Sequence, residues 1–281
     1  MSFRVGVVIP ARNEEKFIAK TLTCLLNDQK IKPEHVIVVD DGSTDNTAQV
    51  ASSFSAEVIR LPDRGYQAQG NPILAEVINH GLRRIDEYLY GQSTTEDYVM
   101  ILGADNLLPP NYISDIISEM QRDRNIAICS GIVDGEAEKN QVPRGAGRIV
   151  RANFWRQIGL EYPSKYGYEA YLVFKALQMG YATPVLTNLV TKTQRRTGKN
   201  YGRNTYIGYG KALKALGYSR LYSLGKLVLV LLRNPGGALL MFKGYSSRDI
   251  DSYDMELQRY VRSLQHEQIR NYFLGKRKTE Q

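Results

Sequence analysis

Three apolar runs in the first part of the chain each end in residues able to hold a ligand or move a proton. "VGVVIP" (5–10) runs into Ala11-Arg12-Asn13-Glu14-Glu15, "HVIVVD" (35–40) into Asp41-Gly42-Ser43-Thr44-Asp45, and "DYVMILG" (97–103) into Ala104-Asp105-Asn106. An aspartate where a hydrophobic run ends is either a helix N-cap or a ligand residue. For Asp105 the cap is the poorer reading, because Pro109 and Pro110 stand between it and the next helical segment. A further acid, Glu169, opens the apolar-striped segment "GYEAYLVFKALQMGY" (167–181). Carboxylates of this kind bind hard divalent cations or take a proton from an attacking hydroxyl.

The elements that must position these residues alternate. The runs at 5–10 and 35–40 are uninterrupted enough to be strands buried on both faces, and those at 57–61 and 97–103 read as a third and a fourth strand. Between them, "EEKFIAKTLTCLL" (14–26), "STDNTAQVASSF" (43–54, with Ser43 or Thr44 as cap), "PILAEVINHGLRRIDEYL" (72–89) and "PNYISDIISEMQR" (110–122) carry helical spacing. Pro72 suits a first helical turn. This alternation predicts an α/β fold with a mostly parallel central sheet flanked by helices. In such sheets ligands bind beyond the carboxyl ends of the strands, where the three clusters should converge. Neither the G-x-G-x-x-G fingerprint nor a phosphate-loop G-x-x-x-x-G-K-[ST] is present, which argues against dehydrogenases and phosphate-loop NTPases.

The chain has 281 residues and a net charge of +8. Residues 1–142 hold 13 Lys+Arg against 21 Asp+Glu, and residues 143–281 hold 24 against 8. A basic second half suggests a polyanionic partner, or only a solubilising surface. No nucleic-acid recognition motif accompanies it, so nucleic acid is not expected. Cys24 and Cys129 form no framework, which fits a reducing, cytoplasmic compartment. A strand begins almost at the first residue, so no signal peptide is expected, and no apolar run approaches the roughly 20 residues of a spanning helix.

"VVIPARNEE", followed some 30 residues later by "VIVVDDGSTDNT" and then by an apolar strand ending in an acidic motif, resembles the inverting family 2 glycosyltransferases with the GT-A fold. The likeness covers roughly residues 3–190 and extends to enzymes of the dolichyl- or polyprenyl-phosphate sugar transferase type. It implies a nucleotide-sugar donor, UDP- or GDP-linked, a divalent metal (Mn²⁺ or Mg²⁺) and single displacement at the anomeric carbon. By the same resemblance Pro10, Ala11 and Arg12 reach the base or ribose, and Glu14 fills the acidic position of the first motif, unless it is only a helix-start acid. Asp41 matches the family's base-reading aspartate, since a carboxylate accepts the N–H donors of uracil or guanine. Arg64 is assigned to the donor diphosphate. Gly103-Ala104-Asp105 aligns with the family's Asp-x-Asp, so the first acid is missing and Asp105 alone is left for the metal; one or two carboxylates are usual for Mg²⁺. Glu169 falls at the general-base position, eleven residues before Gly180, or else it is a helix-start acid. A glutamate there places the carboxylate ~1.5 Å further out than an aspartate. Arg148, Arg151, Arg156 and Trp155 in "RGAGRIVRANFWRQIG" (144–159) lie on the implied acceptor side, with Trp155 equally readable as core. "KTQRRTGKNYGR" lacks the family's Gln-x-x-Arg-Trp, which speaks against a processive polysaccharide synthase; Gln194, Arg195 and Arg196 are left to grip phosphate.

A catalytic domain over 1–198 and a basic helical extension over 199–281 follow. "YSLGKLVLVLLRNPGGALLMFKGYSSR" (222–248) is too short to span, yet apolar and bracketed by Lys226, Arg233, Lys243 and Arg248. It suits a membrane interface, with tyrosines 201, 206, 209, 218, 222 and 245 as anchors, or else packing on the domain or on a second subunit of a homodimer. Residues 251–278 read as an amphipathic helix. Three functions compete: a transferase making a lipid-linked sugar on polyprenyl phosphate at the cytoplasmic face of the membrane, a soluble transferase for a small or protein acceptor, and a non-catalytic nucleotide-sugar binder.

Overall fold

The computed structural model describes residues 3–66, 68, 71–89, 96–135, 142, 143, 145, 147–195 and 202–273. They fold as two compact units: Met1–Gln67, Leu74–Tyr162 and Gly180–Thr197 form the first, and Ala68–Ile73, Pro163–Met179 and Gly198–Gln281 the second.

Among the described residues the first unit is built on a sheet of eight strands. β1 (Phe3–Ala11), β2 (His35–Asp40), β3 (Glu57–Arg60) and β4 (Glu96–Ile101) are parallel, in the order β3-β2-β1-β4. Val5, Val7, Val8, Ile9, Val36, Val38, Val39 and Met100 are all buried, as strands covered on both faces require. The remaining strands, β5 (Asn106–Leu107), β6 (Ile128–Val133), β7 (Arg148–Arg151) and β8 (Val185–Thr193), extend the sheet in the order β7-β6-β8-β5. Here β7 runs antiparallel to both β4 and β6, and β8 is parallel to β6, so the parallel character holds for one side and the other is mixed.

Helices cover the sheet, with two departures from sequence expectation. The first helix, α1 (Ile18–Thr23), starts four residues late, because Glu14 accepts the amides of Phe17 and Ile18 in a separate turn; Cys24–Asp28 then continues as a π-helical turn. The second, α2 (Thr47–Ser52), is not capped by Ser43 or Thr44. Ser43 Oγ instead accepts from Asn13 N at 2.9 Å, and Thr44 N donates to Asn13 Oδ1 at 2.9 Å, tying the β2 loop to the β1 loop. α3 (Ile73–Leu89), α4 (Tyr112–Arg122) and α5 (Ala152–Gln157) complete the set.

The second unit is helical: α6 (Tyr168–Gln178), α7 (Arg203–Ala215), α8 (Arg220–Leu231), α9 (Pro235–Ser246) and α10 (Met255–Phe273). α6 and the α7 end pack around Leu216, Tyr253, Leu257 and Val261, with Tyr171 stacked on Tyr253 at 4.9 Å. α7 meets α9 backbone to backbone, since a β-carbon on Gly210 or Gly244 would collide with the carbonyl of Met241 or Ile207. Asn234 caps α9 through Gly237 N at 2.8 Å, with Pro235 in its first turn. Among the described residues no helix is long and apolar enough to cross a membrane.

Candidate active site

β1 and β2 end level with one another, Ala11 opposite Asp40, and Val8 of β1 stands opposite Ile101 of β4. The clusters that follow them are therefore neighbours. Arg12 donates through Nη1 to the Asp41 carbonyl and through Nη2 to Asp63 Oδ1 at 2.5 Å. It thereby fixes the turn that carries Asp41. Gly42 in that turn has φ +67, and a β-carbon there would run into the backbone of Asp63, so only glycine fits. The Asp41 carboxylate is 3% exposed and in ion-pair contact with Arg64, without a well-aligned hydrogen bond to its Oδ1. Arg64 thus sits on Asp41 in this structure. Asp40 supports the turn, its Oδ1 accepting from Ser43 N at 3.0 Å, and Asp45 binds Thr47 N at 3.0 Å. Pro10 and Ala11 close β1 beside Asp41, whose amide donates to the Ala11 carbonyl at 2.8 Å.

The end of β4 meets the β8 end and the β1 loop. Ala104 O accepts from Thr21 Oγ1 at 2.8 Å, and Asp105 O accepts from Gln194 N at 2.9 Å. Gln194 Nε2 reaches Phe17 O and Thr21 Oγ1, both at 3.0 Å. Next to it, Arg195 donates from Nε to Asp105 Oδ2 at 2.7 Å and from Nη2 to Glu14 Oε1. Glu14 is 8% exposed, its Oε2 is buried without a hydrogen-bond partner, and burial pushes its carboxyl above the usual range despite Arg195. Asp105 is no helix cap, since α4 begins at Tyr112 after Asn111.

The acceptor-side expectations need correction. Arg148 is buried, donating from Nη2 to Pro143 O at 2.7 Å and from Nη1 to Tyr162 Oη at 3.3 Å. Arg151 is buried too, with Nη2 on Met120 O at 2.6 Å, Nε on Ile126 O at 3.2 Å and Nη1 beside Glu96. Trp155 is fully buried edge-on to Tyr162 at 5.0 Å. Buried guanidiniums bonded to interior oxygens and an enclosed indole do not present phosphate or sugar contacts, so these three side chains are interior supports. Arg156 pairs with Asp86 at 3.2 Å. Glu169 lies in the first turn of α6, exposed at the start of the stripe that Leu172, Val173 and Ala176 continue into the interior; this helix belongs to the second unit. Glu161 is exposed and paired with Arg83. Arg144, Arg196 and Tyr201 lie outside the described residues.

A sequence model of Glycosyl transferase family 2 matches residues 6–179, more than half of the chain. The chain belongs to that family. Chondroitin synthase of Escherichia coli is 32% identical over 128 residues, 44% of this chain but 16% of that protein. The 4,4'-diaponeurosporenoate glycosyltransferase of Staphylococcus aureus is 49% identical over 57 residues, 20% of this chain and 15% of that one. The matched stretches are therefore a minor part of these relatives. In structure, the mannosyltransferase PcManGT of Pyrobaculum calidifontis, solved with GDP-Man and Mn²⁺, superposes with a TM-score of 0.59 at 16% identity over 96% of this chain and 80% of that one. S. aureus TarS 1–349 with UDP-GlcNAc gives 0.56 at 18% identity over 92% and 78%. The family 2 chain thus has the GT-A fold.

Family 2 enzymes imply a divalent cation. Among the described residues no three His, Cys, Asp or Glu side chains form a ready-made metal group. The donor set still fits a hard ion: the carboxylates of Asp105 and Glu14 converge on a single cationic group, and Glu14 Oε2 is a buried oxygen lacking a partner. Phosphate and water complete such shells. The missing first acid has a steric counterpart, because a β-carbon on Gly103 would lie 3.1 Å from Asn106 Nδ2, and buried Asn106 occupies that space. Sequence reasoning missed Thr21 and Asp63 as supports of this site; the turn signal Pro62-Asp63-Arg64-Gly65 is the only local trace of the second.

Proposed function

We propose that this family 2 protein transfers a sugar, with inversion, from a UDP- or GDP-linked donor to an acceptor hydroxyl or phosphate, and that the acceptor is lipid-linked, a polyprenyl phosphate or another lipid. The observation that carries the reading is the meeting of Glu14, Asp41 and Asp105 at the carboxyl ends of β1, β2 and β4. Solved neighbours with GDP-Man and with UDP-GlcNAc support a nucleotide-sugar donor. Residues 1–198 would hold the donor and 199–281 would form the extension. Asp41 accepts base N–H groups, with Pro10, Ala11 and Arg12 shaping the cleft floor, and Arg64 leaves Asp41 for the diphosphate. With a hydroxyl acceptor, Glu169 takes its proton as that oxygen bonds the anomeric carbon and the bond from that carbon to the diphosphate breaks; a phosphate acceptor, already ionised, attacks without a base. Mn²⁺ or Mg²⁺ at Asp105 supplies positive charge for the departing diphosphate.

A thermal-shift screen of UDP-, GDP- and dTDP-sugars with Mn²⁺ or Mg²⁺ tests the donor. The right donor at a hundredfold excess over Kd stabilises by about 2.7 kcal/mol. Asp41→Ala is expected to abolish that gain, read against the variant's own ligand-free melting temperature, which falls because the partly buried Arg64 loses its partner. Unchanged nucleotide affinity by calorimetry in the variant would remove Asp41 from the site.

The lipid part of the reading rests on α8 and on charge. Leu221, Leu224, Val228, Leu231 and Leu232 are exposed along one face of α8 and its end, with Leu239 and Phe242 exposed on α9. Residues 170–248 contain 13 Lys+Arg and no Asp or Glu. An apolar stripe among cations suits an anionic bilayer surface, where each cation adds about 1 kcal/mol. Of the proposed tyrosine anchors, Tyr209 is exposed, whereas Tyr206, Tyr218, Tyr222 and Tyr245 are only partly so. Replacing Val228 and Leu232 together by serine removes about 2 kcal/mol at partial burial, roughly 30-fold in partition. Flotation with vesicles containing phosphatidylglycerol should show that loss. Equal flotation of both proteins, or a dimer that dissociates in the variant, would make this face a protein interface.

A further inference from the structure

The pairing of Arg195 has a consequence for how the site fills. Its guanidinium bonds two acids distant in sequence, Asp105 at 2.7 Å and Glu14, and stands 5.2 Å above the Phe17 ring. Its backbone is held in place from the preceding residue, where Gln194 bonds Asp105 O, Phe17 O and Thr21 Oγ1. The side chain itself is half exposed, so it is free to turn outward about a fixed root. The two carboxylates it joins are the oxygens that a hard cation would use, and the second oxygen of Glu14 is buried and unpartnered. A guanidinium and a divalent ion cannot both occupy these carboxylate oxygens, because each needs the same lone pairs and like charges repel at contact distance.

We infer that Arg195 is the resident cation of the Glu14–Asp105 pair, and that a divalent ion binds there by displacing it. The inference rests on the donor reading above in one respect: a nucleoside diphosphate offers the displaced guanidinium an alternative bidentate anion. Diphosphate and metal then bind cooperatively, each raising the affinity of the other by the same factor. Without diphosphate, Arg195 keeps the metal out. Arg195 is thus a specificity-determining residue for the cation rather than only a phosphate contact.

The test measures Mn²⁺ alone, by the electron paramagnetic resonance signal of the free ion, on the full chain with fold checked by circular dichroism. Wild type is expected to bind Mn²⁺ weakly, Arg195→Gln at least tenfold more tightly, and Arg195→Lys close to wild type because the positive charge stays. Asp105→Asn added to Arg195→Gln should remove the gain. An Arg195→Gln protein that is folded but binds Mn²⁺ no better than wild type overturns the inference, as does a gain that survives Asp105→Asn. Titrations of UDP and GDP on the same proteins separate the two readings. If neither nucleotide binds wild type, the donor reading fails while the Mn²⁺ comparison still decides the role of Arg195. If one does bind, the ratio of Mn²⁺ affinities with and without it should fall towards one in Arg195→Gln, and an unchanged ratio counts against the inference.

Discussion

Replacing Glu169 by glutamine is expected to lower turnover on a hydroxyl acceptor by roughly 10²–10⁴-fold, about 3–5 kcal/mol of barrier, while the donor Kd stays at its wild-type value. The substitution keeps size and polarity and removes only the capacity to take a proton. A base has to be accessible to an acceptor, and Glu169 is exposed, whereas Tyr168 beside it is buried. Its helix is well supported: Tyr171 stacks on Tyr253, and Leu172, Val173 and Ala176 are buried further along it. Loss of rate in the glutamine variant would therefore not trace to loss of the helix, and an unchanged melting temperature is the control. Glu169→Asp withdraws the carboxylate by ~1.5 Å and should give a smaller loss. The measurement is turnover with the correct donor and acceptor at saturating concentrations. A glutamine variant with more than a tenth of wild-type turnover would reduce Glu169 to a helix-start acid, and Glu161, exposed beside Arg83, would be the next carboxylate to try.

The parts of the molecule that could be read ahead of its structure share a physical property: their signal is local. β1, β2 and β4 are apolar without a break because both faces are covered, so "VGVVIP", "HVIVVD" and "DYVMILG" announce themselves. Once they are strands, the acids after them must lie together, and Glu14, Asp41 and Asp105 do lie at the neighbouring ends of β1, β2 and β4. What could not be read depends on contacts far apart in sequence. Arg195 meets Asp105 across 90 positions and Glu14 across 181, and nothing near any of the three foretells the meeting. β7 was hidden because "RIVR" is bounded by arginines whose guanidiniums turn inward to carbonyls. Ser43 has the type of a helix cap, and only its hydrogen bond to Asn13 N reveals that it clamps two loops. For α8 the composition is apolar on nearly every side, so which stripe stays uncovered is decided by the α9 packing and not by periodicity.

The misreading of "RIVRANFWRQIG" has the largest consequence for stability. Trp155→Ala is expected to destabilise the first unit by about 3–5 kcal/mol, the range for deleting a buried large aromatic side chain. In a unit of this size that is a fall in Tm of roughly 10 °C. The indole is fully buried, edge-on to Tyr162 at 5.0 Å with the planes at 87°. Tyr162 is itself locked by reciprocal bonds with Asn79, both 2.8 Å, and its hydroxyl accepts from Arg148. Removing the indole therefore opens a cavity beside Tyr162, which cannot move to fill it without giving up those bonds. Trp155→Phe should cost much less, because it keeps most of the ring volume and deletes an indole N–H that has no hydrogen-bond partner. Calorimetric melting of the three proteins, with acceptor KM measured well below every transition, distinguishes support from recognition. A folded alanine variant whose Tm lies within about 2 °C of wild type, but whose acceptor KM rises tenfold or more, would return Trp155 to the acceptor surface. The burial of both Trp155 and Arg148 in one packed cluster predicts the opposite pattern, a large loss of stability with KM unchanged.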